Sequence, residues 1–305
     1  MNLVIVGSVA LDSIKTPYGE VKMALGGSAV YAGIAASHFT KPRIVGVVGE
    51  DFPRKHIDLL ENHGINLDGL QIIPGGKTFH WEGFYEGDME QAYTLDTRLN
   101  VFEHFQPNLP EHYKDAEFLF LANIDPALQL HVLNQVENPK MVVTDTMNFW
   151  IEGKRDELLQ VLEKSDVVVV NDEESFLLTT ERNLLRAAEK ILDYGCGSVI
   201  IKQGMHGAIM LSRDDYFTVP GYLLKELKDT TGAGDTFAGG FIGYLASKER
   251  ITKSNIRRAM VLGCVLSSFV CEEFSVKGTA ELTKEKFFSR CDEFYRFSRV
   301  PRVSI

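Results

Sequence analysis

DVVVVNDEES, residues 166–175, sets four consecutive valines between an acid and an amide. A strand with one wet face alternates apolar and polar residues, and this run has no polar face to offer water. It therefore predicts a strand covered on both sides, and β-branched side chains suit that extended backbone. The same signature recurs in NLVIVG (2–7), RIVGVVG (43–49), EFLFLA (117–122), KMVVTD (140–145) and SVIIKQ (198–203). Helix-like stretches lie between them: SAVYAGIAASHF (28–39), FPRKHIDLLENHG (52–64), KRDELLQVLEK (154–164) and LLRAAEKILDYG (184–195). That alternation predicts an α/β fold, a mostly parallel central sheet between two helical layers. Ligands of such sheets bind beyond the carboxyl ends of the strands.

One segment departs from the alternation. KTFHWEGFYEGDMEQAYTLDTRL (77–99) has two extended arms about EGDM, with Phe79, Trp81, Gly83 and Tyr85 on one side of the first arm and His80, Glu82 and Phe84 on the other. It predicts a β-hairpin, which serves as a lid, as a dimer surface or as an edge packed on the core. No repeat and no Pro/Ser-rich linker divides the chain.

A formal charge of −10 argues against nucleic-acid and anionic-membrane partners, which need a basic surface. The start, MNLVIVGSVALDS, has no basic n-region, and the apolar run AMVLGCVLSSFV (259–270) is too short to span a bilayer. Cys196, Cys264, Cys271 and Cys291 show neither C-x-x-C spacing nor a disulfide framework, so the expected compartment is the cytoplasm. The eight histidines show no zinc-ligand spacing.

The chemistry is concentrated in DTTGAGDTFAGG, residues 229–240. Thr231-Gly232-Ala233-Gly234 can turn sharply, and residues 235–247 carry small and apolar side chains at helical spacing. Free N–H groups at the first turn of a helix attract an anion, which the helix dipole reinforces. Asp235 at that start also reads as an acid capping the helix. The spacing does not match the dinucleotide G-x-G-x-x-G, and no G-x-x-x-x-G-K-[ST] occurs.

DTTGAGDTFAGGFIGYLA resembles the C-terminal signature of the ribokinase-like (PfkB) sugar kinases, and further motifs follow in family order over nearly the whole chain. The resemblance implies a ribokinase-like fold, one domain over 1–305 with lid elements at about 13–24 and 76–100. It also implies a kinase that uses ATP and Mg²⁺, and in some members K⁺, to phosphorylate a small sugar or nucleoside. Asp235 would be the catalytic base and the amides of Gly232, Ala233 and Gly234 the anion hole. Transfer then proceeds through a loose transition state, where positioning and charge stabilisation dominate.

On the same resemblance, Asp12 after the first strand and the pair Gly26-Gly27 would bind acceptor hydroxyls. Asp12 alone reads as a turn residue, and Ser28 as a helix N-cap. The family commonly has Asn where this chain has Tyr31. A ring with one hydroxyl replaces an amide there, which points to a different acceptor, such as one carrying an aromatic base. Asn171 and Glu174 match a family pattern that organises Mg²⁺ and phosphates through water, and they equally spell a capping box. Lys202, Gly204 and Gly207 fall at the family's nucleotide turn, and Asp229 and Thr231 where some members bind a monovalent cation. A lid-to-lid homodimer fits the aromatic hairpin. A catalytically silent binding protein would be expected to have lost Asp235.

Overall fold

The computed structural model describes residues 1–299 except 88, 90 and 91, so part of the tip of the expected hairpin lies outside the described residues. In chain order the strands are β1 (Leu3–Val6), β2 (Ala10–Thr16), β3 (Gly19–Gly26), β4 (Arg43–Gly49), β5 (Asn66–Ile73), β6 (Phe79–Tyr85) and β7 (Ala92–Arg98). They continue with β8 (Phe118–Leu121), β9 (Met141–Asp145), β10 (Val167–Asn171), β11 (Ser198–Lys202), β12 (Ala208–Ser212) and β13 (Tyr216–Val219). Nine of them form one sheet in the order β13-β12-β11-β10-β9-β8-β1-β4-β5. Pairing is parallel from β5 through β11 and antiparallel only at the β11-β12-β13 edge.

The four valines show why the sheet needs both covers. Val167 and Val169 belong to one apolar cluster, with the helices Ser28–Ser37, Ala233–Ala246 and Lys253–Val270. Val168 and Val170 belong to another, with the helices Arg155–Glu163 and Leu184–Asp193. All four are at most 2% exposed. This is the mostly parallel α/β/α sandwich expected from the strand pattern. No helix among the described residues is long and apolar enough to cross a membrane.

The remaining four strands form a smaller sheet, β3-β2-β6-β7. The expected hairpin is β6 and β7, and it is joined through a parallel β2–β6 pair to a second antiparallel pair, β2 and β3. The expected strict alternation of β6 does not hold. A register shift between Glu82 and Gly83 changes which side chains face inward, so His80 is buried before it and Gly83 and Tyr85 after it. The small sheet rests on the 229–231 segment: Tyr85 Oη and Thr231 Oγ1 are 3.0 Å apart, and Thr230 Oγ1 donates to the Met89 carbonyl at 2.9 Å. Beneath it Ile14, Tyr85 and Met89 form an apolar cluster with Val21, Trp81, Leu227 and Phe274.

Two local expectations need correcting. Asp12 is not in a turn; it lies inside β2, paired opposite Ala24 and Trp81. Ser28 is not the N-cap, because Gly27 holds that position with φ 98°. The hydroxyl of Ser8 does the capping instead, accepting from the Ser28 N–H at 2.9 Å, while Ser28 Oγ accepts from the Ser8 N–H at 3.1 Å.

Candidate functional site

Parallel pairing brings the carboxyl ends of β1, β8, β9, β10 and β11 to one edge of the large sheet. Gln129, fully buried, braces that edge by donating to the carbonyls of Ala122 and Asp145, each at 3.0 Å. Above it the helix Ala233–Ala246 begins. Its N-cap is Gly232 with φ 73°, a left-handed conformation that glycine adopts without a steric penalty. Asp235 is therefore the third residue of the helix rather than its cap. The Ala233 N–H donates to the Thr230 carbonyl at 3.2 Å, whereas those of Gly232 and Gly234 have no backbone partner among the described residues.

Two groups of side chains meet at Asp235. On one side, the ring of Tyr31 lies directly against Gly232, where any Cβ would collide with it. The Asp12 carboxyl group lies just as close to Gly26, where a Cβ would collide with it. Burial, then the charges of Asp229 and Asp235, push the Asp12 carboxyl up to about 8. Tyr31 is 1% exposed, its hydroxyl has no partner among the described residues, and burial followed by Asp12 and Asp229 holds it protonated. Asp229 accepts from the Thr231 N–H at 2.9 Å through Oδ1, and its Oδ2 is buried without a partner among the described residues.

On the other side, Lys202 Nζ lies 3.6 Å from Asp145 Oδ1, and only 2.7 Å from where a Cβ on Gly234 would stand. Burial works against the charge of Lys202, but Asp145, Glu174 and Asp235 outweigh it and hold the ammonium above its usual range. Burial pushes Asp235 up to about 7, Asp145 adds to this and Lys202 opposes it. Glu174 is also pushed to about 7, by burial first, with Lys202 opposing and Asp145 reinforcing. Asn171 and Glu174 do form the capping box: the Asn171 N–H donates to Glu174 Oε2, and the Glu174 N–H to Asn171 Oδ1, both at 2.7 Å. Glu174 Oε1 is left over for other work.

The sequence-derived residues thus fall into one group of Asp12, Gly26, Gly27 and Tyr31 and another of Asn171, Glu174 and Lys202, with the 232–235 turn between them, Gly232 against Tyr31 and Gly234 against Lys202. Gly204 and Gly207 shape the turn from β11 into β12, with φ 52° and 97°. No contact among the described residues places either against the acids. Asp145 was missed. A lone Asp at a strand end is unremarkable in sequence, and the available signal was only that β9 ends on the same edge as β10 and β11. Among the described residues no three His, Cys, Asp or Glu side chains are grouped to hold a metal by themselves.

A family model described as pfkB family carbohydrate kinase matches residues 2–282. A cytidine kinase of Thermococcus kodakarensis is 29% identical over 85% of this chain and 95% of its own length. Among solved structures, a nucleoside kinase of Burkholderia thailandensis in complex with inosine superposes with a TM-score of 0.77 at 18% identity, covering 96% of this chain and 99% of that one. An aminoimidazole riboside kinase of Salmonella enterica, complexed with aminoimidazole riboside and an ATP analog, gives 0.73 at 16% identity, covering 95% of this chain and all of that one.

Proposed function

The chain belongs to the pfkB family of carbohydrate kinases, and from that premise we propose that it moves the terminal phosphoryl group of ATP, with Mg²⁺, to a hydroxyl of a small sugar or nucleoside, with Asp235 as the base. The observation that carries this reading is Asp235 in the first turn of its helix, beside the amides of Gly232 and Gly234 that have no backbone partner among the described residues and within the field of Lys202. Of the two acceptor classes, a nucleoside is favoured. A relative matched along most of this chain is named for cytidine, and this supports the nucleoside.

The residues present suit the groups they would hold. The unpartnered amides of Gly232 and Gly234 and the ammonium of Lys202 form a cradle for phosphate oxygens, and a Cβ at Gly234 would fill it. Glu174 and Asn171 would meet Mg²⁺ through water, in keeping with the few protein ligands that ion needs. Asp229 Oδ2, buried and unpartnered, together with Thr231 suits a monovalent cation. Bound ATP supplies the group transferred, and Mg²⁺ offsets its charge.

Asp12 and the Gly27 backbone would orient the acceptor so that one hydroxyl faces Asp235. An alcohol near water's pKa of ~15.7 against an acid at about 7 makes complete proton removal cost about 12 kcal/mol, at 1.36 kcal/mol per unit. The proton must therefore pass to Asp235 late, as the hydroxyl oxygen bonds to phosphorus. The small sheet would cover the site and keep water from competing as acceptor.

The test is acceptor-dependent ADP release with Mg-ATP across ribose, fructose, adenosine, inosine, guanosine and cytidine. Turnover on a nucleoside is expected, and silence on every acceptor would sink the proposal. A pH profile adds a sign. Only ionised Asp235 can take a proton, so kcat/KM should fall as pH drops through about 7 and stay level above it until other groups titrate. The apparent pKa belongs jointly to Asp235, Asp145 and Glu174, which share charge with Lys202. A flat profile between pH 5.5 and 8 would remove Asp235 from this role.

A further inference from the structure

The small sheet and its hairpin reach the 229–235 segment through two side-chain hydrogen bonds that take no part in the phosphoryl transfer itself. Tyr85 ends β6 and is 8% exposed, and its ring packs in the cluster with Ile14 and Met89. Its Oη reaches Thr231 Oγ1 at 3.0 Å, one residue before the Gly232 N-cap. Thr230 answers in the other direction, donating to the Met89 carbonyl just beyond the same strand. Two consecutive threonines are thus tied to the sheet above, at the point where the backbone enters its left-handed turn.

Other restraints act on this turn from below: Ser267 Oγ donates to the Ala233 carbonyl at 2.7 Å, the Thr236 N–H donates to the Gly232 carbonyl at 2.8 Å, and the Tyr31 ring packs against Gly232. Ala233 N–H bonds back to Thr230, and Thr231 N–H to Asp229. The Gly232 and Gly234 amides must stay unbonded to serve an anion, so they cannot hold themselves in place. Glycine also has the largest conformational freedom to lose. None of these ties comes from the small sheet, and Tyr85 supplies that one.

We propose that Tyr85 is a positioning residue, which through Thr231 holds the Gly232–Asp235 turn in its working shape and makes that shape depend on the small sheet being docked. The proposal rests on the reading of that turn as the site of phosphoryl transfer. Its consequence is a kinase whose anion-binding amides are aligned only while the sheet is down, so that alignment and shielding from water arrive together. Tyr85 itself need not touch either substrate.

Tyr85→Phe tests this, because it keeps the ring in its apolar cluster and removes only the hydroxyl. Thr230→Val removes the companion bond. Amide hydrogen exchange is followed over residues 227–236 in the protein without ligands, and steady-state kinetics are measured on the best acceptor. Each variant should speed exchange of that segment several-fold while leaving the strands of the large sheet unchanged. In Tyr85→Phe, kcat should fall about tenfold, the scale of one lost hydrogen bond, with KM for ATP within about twofold. Unchanged exchange in the 227–236 segment would overturn the anchor. Faster exchange with undiminished kcat would overturn its catalytic relevance. Absence of turnover in the parent protein is a failure of the kinase reading instead, and the exchange result still decides whether the anchor exists.

Discussion

Asp235→Asn should lower kcat by about 10³–10⁴-fold, the upper range for removal of a general base. Asn has nearly the same shape and keeps a polar side chain at the third helical position, so positioning is preserved and proton acceptance is lost. The helix does not depend on this carboxylate for its cap, which is backbone Gly232. Burial, and then the charge of Asp145, also raise the pKa of this acid against the pull of Lys202, so its ionised form is costly in the folded state. The variant should therefore unfold at the parent temperature or above it at pH 8, and a large drop in melting temperature would contradict the placement described here. Single-turnover measurement separates chemistry from product release. A loss of less than tenfold in that step would mean that the proton leaves by another route.

Lys202→Met should damage both stability and activity, and the two losses can be separated. Lys202 is the cation among Asp145, Glu174 and Asp235. Removing it strands buried carboxylates, for which about 3–5 kcal/mol is typical. The deficit should be greatest at pH 8 and shrink toward pH 6. Acids whose folded pKa lies above the unfolded value bind more protons when folded, so stability falls as pH rises through that window. Losing Lys202 raises those pKa values further and moves the window upward. Adding Asp145→Asn should recover much of the melting temperature at pH 8 without restoring turnover, since the phosphate-facing charge is still missing. Equal destabilisation at pH 6 and pH 8 would show that the lysine acts by packing alone.

Most of the large sheet was legible because its signal is local. A strand such as Val167–Asn171 must be apolar on both faces, and a few residues suffice to say so. The helix start near Gly232 was legible to within two residues for the same reason. Asp12 was misplaced because β2 is defined by partners distant in sequence: it pairs with β6, whose residues follow some seventy positions later. The register shift at Glu82/Gly83 had no marker beyond one glycine. Asp145 became visible only when β9 was seen beside β10, which brings its carboxylate to Lys202. The capping box shows the reverse difficulty: one pair of residues, Asn171 and Glu174, satisfies a structural pattern and a chemical one together.

The helix Ala233–Ala246 presents Gly239 and Gly243 to the backbone of Ala32 and Ala36, so close that a Cβ on Gly243 would come within 2.6 Å of the Ala36 Cα. Asp235 and Tyr31 thus ride on two rods joined main chain to main chain, with no side chain between them that a rotamer change could shorten or lengthen. The gap between these two residues behaves as a fixed gauge. A lineage adapting this scaffold to a bulkier acceptor could not widen the gauge by small substitutions along that seam, because every added atom would wedge the whole pair apart. Room would have to come from the strands overhead, where β2 and β6 can slide or lengthen, or from the identity of residue 31 itself. Acceptor range should accordingly drift through the roof of the site while its floor stays constant.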